Sequence, residues 1–232
     1  MGSSRLPGKV LLDLGGKTVL SRVVSRLRRA RLINDIWVAT TDLRQDDVIV
    51  AHCHRLGVNC FRGSEQDVLD RYYHCAKNCS ATCVVRITSD CPVIDPELVD
   101  DAVERFCAGV YDYASNGLVP TYPRGLDVEI FTMSALHRAW QDAKGPHQRE
   151  HVTPFFYEYP EVFRLLSLTA DQDYSQYRWT LDTAEDLALL RQIYFRFDNQ
   201  ENFGWRDVLD LMKREPQLAH LNGHVMQKAV TA

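Results

Sequence analysis

No run of roughly eighteen consecutive apolar residues occurs in this chain, so no segment reads as a membrane-spanning helix. Its opening residues lack the apolar core of a signal peptide, and the expectation is a cytoplasmic protein with no membrane partner. The seven cysteines are odd in number and contain no Cys-x-x-Cys. Neither a disulfide framework nor a structural zinc is supported, which leaves reduced, partly buried thiols. A basic excess is also missing, since the net charge is −4 and no stripe alternates aromatic with basic residues. A nucleic-acid partner is therefore not expected. The first 31 residues do carry eight Arg or Lys against the single acid Asp13. Of these, Arg22, Arg26 and Arg29 recur at helical spacing and are assigned to a solvated face. With no low-complexity linker and no internal repeat, the 232 residues read as one domain.

What is present begins with Met1-Gly2-Ser3-Ser4-Arg5-Leu6-Pro7-Gly8-Lys9. Gly2 and Gly8 let the backbone curl, Ser3 and Ser4 stand beside it, and Arg5 and Lys9 add two positive charges over a short span. That is the chemistry of a polyphosphate cradle. Arg forks onto phosphate oxygens, whereas Lys is a mobile point charge. The segment is not a Walker A loop, because Val10 stands where a magnesium-binding Ser or Thr belongs. A solvated, flexible N-terminus is the competing reading.

Residues 18–31 read as an amphipathic helix with Val19, Leu20, Val23, Val24 and Leu27 inward. A strand over 35–41, a helix over 46–56 and a short strand over 58–61 follow. Ser64 reads as the cap of a helix through Val68, Leu69, Tyr72 and Tyr73. A β-branched strand over 82–88 runs into Ser89-Asp90-Cys91-Pro92, and 96–106 is helical with Pro96 in its first turn. This alternation predicts an α/β fold with a mostly parallel sheet flanked by helices. In such sheets ligands sit at the carboxyl ends of the strands, where Asp42 and Asp90 fall. The second half is less regular, with strands over 111–116, 126–131, 163–168 and 177–181. Helices are predicted over 134–144, over 148–157 with a break at Pro154, over 184–195 behind a Thr183 cap, and over 205–214.

Asp90 is an acid at the end of a buried strand, and Asp182 stands at a strand end just before a helix cap. Two carboxylates brought together from such distant positions suit Mg²⁺ with a triphosphate. An ordinary turn residue at 90 and a helix-cap neighbour at 182 are the alternatives. Asp127 and Glu129 are two apart, hence on one face if they lie in a strand. Arg149-Glu150-His151 is a dense polar cluster in an apolar helix. Either set suits contact with a polar second substrate, and either equally suits an ion-pair network bracing the domain.

Taken in order, GSSRLPGKVLLDLGGKTVL, VATTD, FRGSEQDVLDRYY, VVRITSDCPVIDPELVD, YDYASN, YPRGLDVEIF, REHVTPFFYE and WTLDTAEDL resemble the cytidylyltransferases of the spore-coat polysaccharide SpsF type. That family is related to the synthetases of CMP-Kdo and CMP-acylneuraminate, and the likeness runs to about residue 212. It implies a Rossmann-like nucleotide-diphospho-sugar transferase fold with a small extra lobe. The nucleotide-binding half would be residues 1–110, the acceptor-binding and dimerising half 111–182, and the C-terminal helices 183–232. The resemblance further implies Mg²⁺-dependent transfer of CMP from CTP to a sugar-like acceptor, with pyrophosphate released, in surface polysaccharide synthesis. Gly2, Ser3, Ser4, Arg5 and Lys9 would hold the triphosphate, and Asp90 and Asp182 the metal. Arg86, Thr88 and Ser89 would approach the nucleoside, while Arg124, Asp127, Glu129, Arg149, Glu150 and His151 would face the acceptor. A homodimer is expected by the same analogy. Family members usually place an apolar strand before Met-Gly-Ser-Ser-Arg, and this chain begins at that Met. Another NTP, a phosphorylated acceptor, or a non-catalytic nucleotide-binding role remain the rival readings.

Overall fold

The computed structural model describes residues 1–3 and 5–227. A single 3-10 turn at Lys9–Leu11 leads into an antiparallel ribbon of β1 (Asp13–Leu14) and β2 (Lys17–Thr18). Helix α1 (Val19–Leu27) begins at Thr18, whose hydroxyl accepts the Ser21 N–H, and it buries Val19, Leu20, Val23 and Val24 as its periodicity predicts. Strand β3 (Trp37–Thr41), helix α2 (Asp47–Leu56) and strand β4 (Asn59–Gly63) form a β-α-β unit whose strands pair in parallel. Helix α3 (Val68–Asn78) is capped by Asp67 and not by Ser64. The Ser64 hydroxyl accepts the Asp67 N–H and so closes the preceding turn.

Strand β5 (Cys83–Arg86) and helix α4 (Pro96–Cys107) come next, the latter capped by Asp95. They are followed by β6 (Tyr113–Ser115), β7 (Glu129–Thr132) and helix α5 (Met133–Asp142). The helix predicted over 148–157 is split into α6 (Pro146–His151) and α7 (Pro154–Glu158) at Val152, whose φ is 74°. Strand β8 (Leu165–Ser167) precedes α8 (Ala184–Arg196) and α9 (Trp205–Arg214). The strand predicted over 177–181 is only an isolated bridge between Arg124 and Arg178.

The strands form separate sheets, the β3–β4 pair and a four-stranded sheet ordered β5-β7-β6-β8. In the latter, β7 runs antiparallel to both neighbours while β6 and β8 are parallel. One face presents Val85, Ile130, Ala114 and Leu166 to the main core, which also holds Trp179 and the apolar sides of α4, α8 and α9. The other face presents Val84, Phe131, Tyr113 and Leu165 to a second core under α3, α5 and α7. Each fully buried aliphatic or Phe side chain contributes about 1.5–3 kcal/mol, so the double-sided burial fixes this sheet as the scaffold of the site. The cysteines are free thiols, and among the described residues no helix is long and apolar enough to cross a membrane.

Arg22 and Arg26 overturn the solvated face assigned to them, since they are 1% and 0% exposed. Arg22 donates to the carbonyls of Leu14, Gly15 and Asn199 and to the Glu201 carboxylate. Arg26 donates to the carbonyls of Ile94, Glu201 and Phe203. Their guanidinium planes lie 4.4 Å from the rings of Tyr194 and Phe203, respectively. Burial is tolerated because main-chain oxygens satisfy most of the N–H groups. Arg29 alone of the three is exposed.

Gly125 fixes how the turn before β7 meets the segment that carries Asp182. Its φ is +101°, and a Cβ there would stand 2.6 Å from the Thr180 nitrogen and the Trp179 carbonyl carbon. Gly125→Ala combines that backbone collision with a conformation costing an L-residue about 1–3 kcal/mol. The urea midpoint of this variant falls accordingly, with the slope of the transition unchanged; a wild-type midpoint would show that the two segments separate without cost.

Candidate active site

The main chain brings Asp90 and Asp182 together. The Asp90 carbonyl accepts the Leu181 N–H at 2.8 Å and the Thr180 hydroxyl at 3.2 Å, which pins the two segments side by side. Between the carboxylates stands Lys9, its Nζ 2.6 Å from Asp90 Oδ2 and 2.8 Å from Asp182 Oδ1. The other Asp182 oxygen takes Arg5 Nη2 at 2.9 Å and Arg178 Nη2 at 2.7 Å. Arg178 also forks onto Asp186, with Nε and Nη2 each 2.9 Å from a carboxylate oxygen. Asp186 is fully buried and accepts from the Asn222 amide and the N–H groups of Asp182 and Thr183. As the third residue of α8 it completes a capping box with Thr183.

The cluster therefore sets three cations against three carboxylates. Burial works against charge at Asp182, yet Lys9 and Arg178 outweigh it and hold the carboxyl at about 2. Burial likewise opposes charge on Lys9, and the Asp90 and Asp182 carboxylates overcome it to hold the ammonium above its ordinary range. Local geometry aims Lys9: Gly8 takes φ +68°, and the 3-10 turn starts immediately behind it.

A second polar group lies at the carboxyl end of β5. Strand register sets Arg86 opposite Glu129, Glu129 opposite Ser115, and Ser115 opposite Ser167, a polar row across all four strands. Arg86 pairs with Glu129, and Tyr113 donates its hydroxyl to the same carboxylate at 2.8 Å. Buried Arg86 Nε and Ser167 Oγ have no partner among the described residues. Asp127 precedes β7, so it does not share a strand face with Glu129. It accepts the Gly125 N–H at 2.8 Å. Burial raises its carboxyl above the usual range, and the neighbouring charges of Glu129 and Asp90 add to that effect.

Among the remaining residues named from the sequence, Ser3 accepts the Leu6 N–H, Gly2 is exposed, and Ser4 lies outside the described residues. The Thr88 hydroxyl meets Cys91 Sγ at 3.2 Å, and Ser89 is half-buried. The Arg124 main chain pairs with residues 177 and 179. Arg149 is engaged structurally: it forks onto Asp67, the cap of α3, and donates to the Trp140 carbonyl. Glu150 is exposed and His151 half-buried. Arg178, Asp186, Ser115 and Ser167 escape sequence reasoning. Only Asp186 carries a local signal, its place three residues after a capping Thr.

Among the described residues no three His, Cys, Asp or Glu side chains converge on a metal-sized position. Asp90 and Asp182 do converge on one cation position, which Lys9 Nζ occupies. That donor set fits Mg²⁺, which takes one or two carboxylates and completes its octahedron with phosphate oxygens and water.

Comparison with known proteins adds an independent line. The family model for cytidylyltransferase matches residues 1–220. An uncharacterized protein of Methanocaldococcus jannaschii is 41% identical over 230 residues, covering 98% of this chain and 93% of its own. The spore coat polysaccharide biosynthesis protein SpsF of Bacillus subtilis is 31% identical over 226 residues, covering 94% and 93%. Among solved structures, a cytidylyltransferase from Leptospira borgpetersenii superposes with a TM-score of 0.92 at 32% identity, over 99% of this chain and 95% of that one.

Proposed function

This chain belongs to the cytidylyltransferase family, and from that premise we propose that it transfers CMP from CTP to a hydroxyl of a sugar or sugar-acid acceptor, releasing pyrophosphate, in surface polysaccharide synthesis. The observation that carries this reading is the convergence of Asp90 and Asp182 on one cation position beside the loop bearing Arg5 and Lys9. Held by the two acids, Mg²⁺ would supply charge neutralisation on the phosphate oxygens. Arg5 and Lys9 balance the charge that builds on the leaving pyrophosphate. The main-chain zipper of residue 90 to residues 180 and 181 keeps both acids rigid, so little reorganisation is needed during reaction. Glu129, whose carboxylate Arg86 holds, and Asp127 line the acceptor side. No covalent nucleophile is required, because the acceptor hydroxyl attacks the α-phosphorus in line while the phosphate anhydride bond to pyrophosphate breaks.

Nucleotide-dependent thermal stabilisation tests this reading, comparing ATP, CTP, GTP and UTP with and without Mg²⁺. Saturation at about 100 times the dissociation constant adds about 2.7 kcal/mol to the folded state. Selective, Mg²⁺-enhanced stabilisation by CTP is the expected result, and preference for another nucleotide or no response at all overturns it.

A further inference from the structure

We infer that Lys9 and a divalent cation are alternative occupants of one position between Asp90 and Asp182, so that the metal enters together with the triphosphate and not before it. The inference rests on the cytidylyltransferase reading above and adds an order of binding to it. Lys9 Nζ lies 2.6 and 2.8 Å from the very oxygens that would hold the ion. An ammonium and a metal ion cannot share that space.

Charge balance gives the order. Arg5, Lys9 and Arg178 face Asp90, Asp182 and Asp186, so the cluster carries no net charge and offers a lone divalent cation little attraction. A cation arriving with a triphosphate brings its own exchange partner. The phosphates attract Arg5 and Lys9, and the two acids they leave match the double charge of the ion. Arg178 stays behind, because its fork onto the fully buried Asp186 anchors it. Lys9 suits the moving role, being a point charge on a flexible four-carbon stem, whereas a planar fork is committed to its geometry. Lys9 is thus a positioning residue in the free protein, where it keeps two like-charged carboxylates in register for the ion that replaces it.

Mn²⁺ binding to the intact chain, read by water-proton relaxation, tests the exchange without requiring an acceptor. Without nucleotide the wild type binds Mn²⁺ weakly, and the Lys9→Met variant binds it about tenfold more tightly or better, a coupling of ordinary size. Lys9→Arg retains the charge and stays as weak as wild type, which separates loss of charge from loss of fold. With CTP present, wild type gains a bound Mn²⁺ beyond that held by CTP alone. Equal nucleotide-free affinity in wild type and Lys9→Met overturns the exchange while leaving the metal site intact. Failure of every form to bind Mn²⁺, even with CTP, overturns the metal assignment itself and the exchange with it.

Discussion

Asp90→Asn lowers CTP-dependent pyrophosphate release by roughly 100-fold or more, the scale on which removal of one electrostatic stabiliser is felt. The amide keeps the shape of the side chain and discards the charge that opposes a cation. The fold has little reason to change, because Leu181 and Thr180 are held by the main-chain carbonyl of residue 90, which the substitution leaves in place. Lys9 also keeps its contact with Asp182. Turnover numbers set beside melting midpoints check both halves. Full Mg²⁺-dependent turnover in Asp90→Asn removes Asp90 from the chemistry.

Arg178→Met has its effect on stability. Arg178 is the guanidinium partner of Asp186, a fully buried carboxylate, and breaking such a pair by deleting one side costs about 3–5 kcal/mol. The loss falls near the lower end of that range because Asn222 and two main-chain N–H groups still donate to Asp186. Denaturant unfolding measures it, and adding Asp186→Asn to the variant recovers part of the loss by removing the stranded charge. The sign with pH follows. In the wild type the Asp186 carboxyl lies below its ordinary range, where Arg178 and Asn222 outweigh the opposing effect of burial. Its contribution is therefore present above the unfolded carboxyl pKa and fades as pH falls through the lower native value. Without Arg178, burial pushes the carboxyl up, so the deficit is largest near neutrality and narrows as acid protonates the group. A deficit independent of pH would locate the damage in lost packing instead.

The sequence made the scaffold of the site legible where chemistry is local. Thr183 and Asp186 announce the start of α8, the periodicity of α1 names its inward apolar residues, and the acids at 90 and 182 stand out at the ends of segments. What required structure were partners far away in the chain. Arg22 and Arg26 share a helix face that composition alone assigns to water, and the carbonyls of residues 14, 15, 94, 199, 201 and 203, with the Glu201 carboxylate, explain their burial. The polar row is equally hidden, since Ser115 and Ser167 meet through a parallel register that no short pattern encodes. Lys9 differs again: its charge was legible, but its occupancy of the acid pair depends on where residues 90 and 182 come to rest.

The buried arginines of α1 also bear on how the chain is made. Arg22 meets Glu201 across 179 residues, and Arg26 meets Phe203 across 177. During vectorial synthesis these guanidiniums emerge well before the carbonyls of residues 199, 201 and 203 that hold them. Until then α1 has no native environment for two of its charges, and the loop with Lys9 just ahead of it has no Asp182 to contact. Such distant closure slows folding, and α1 lacks these partners until residues 199–203 have been made. A chain released short of Asp182 lacks the cluster altogether.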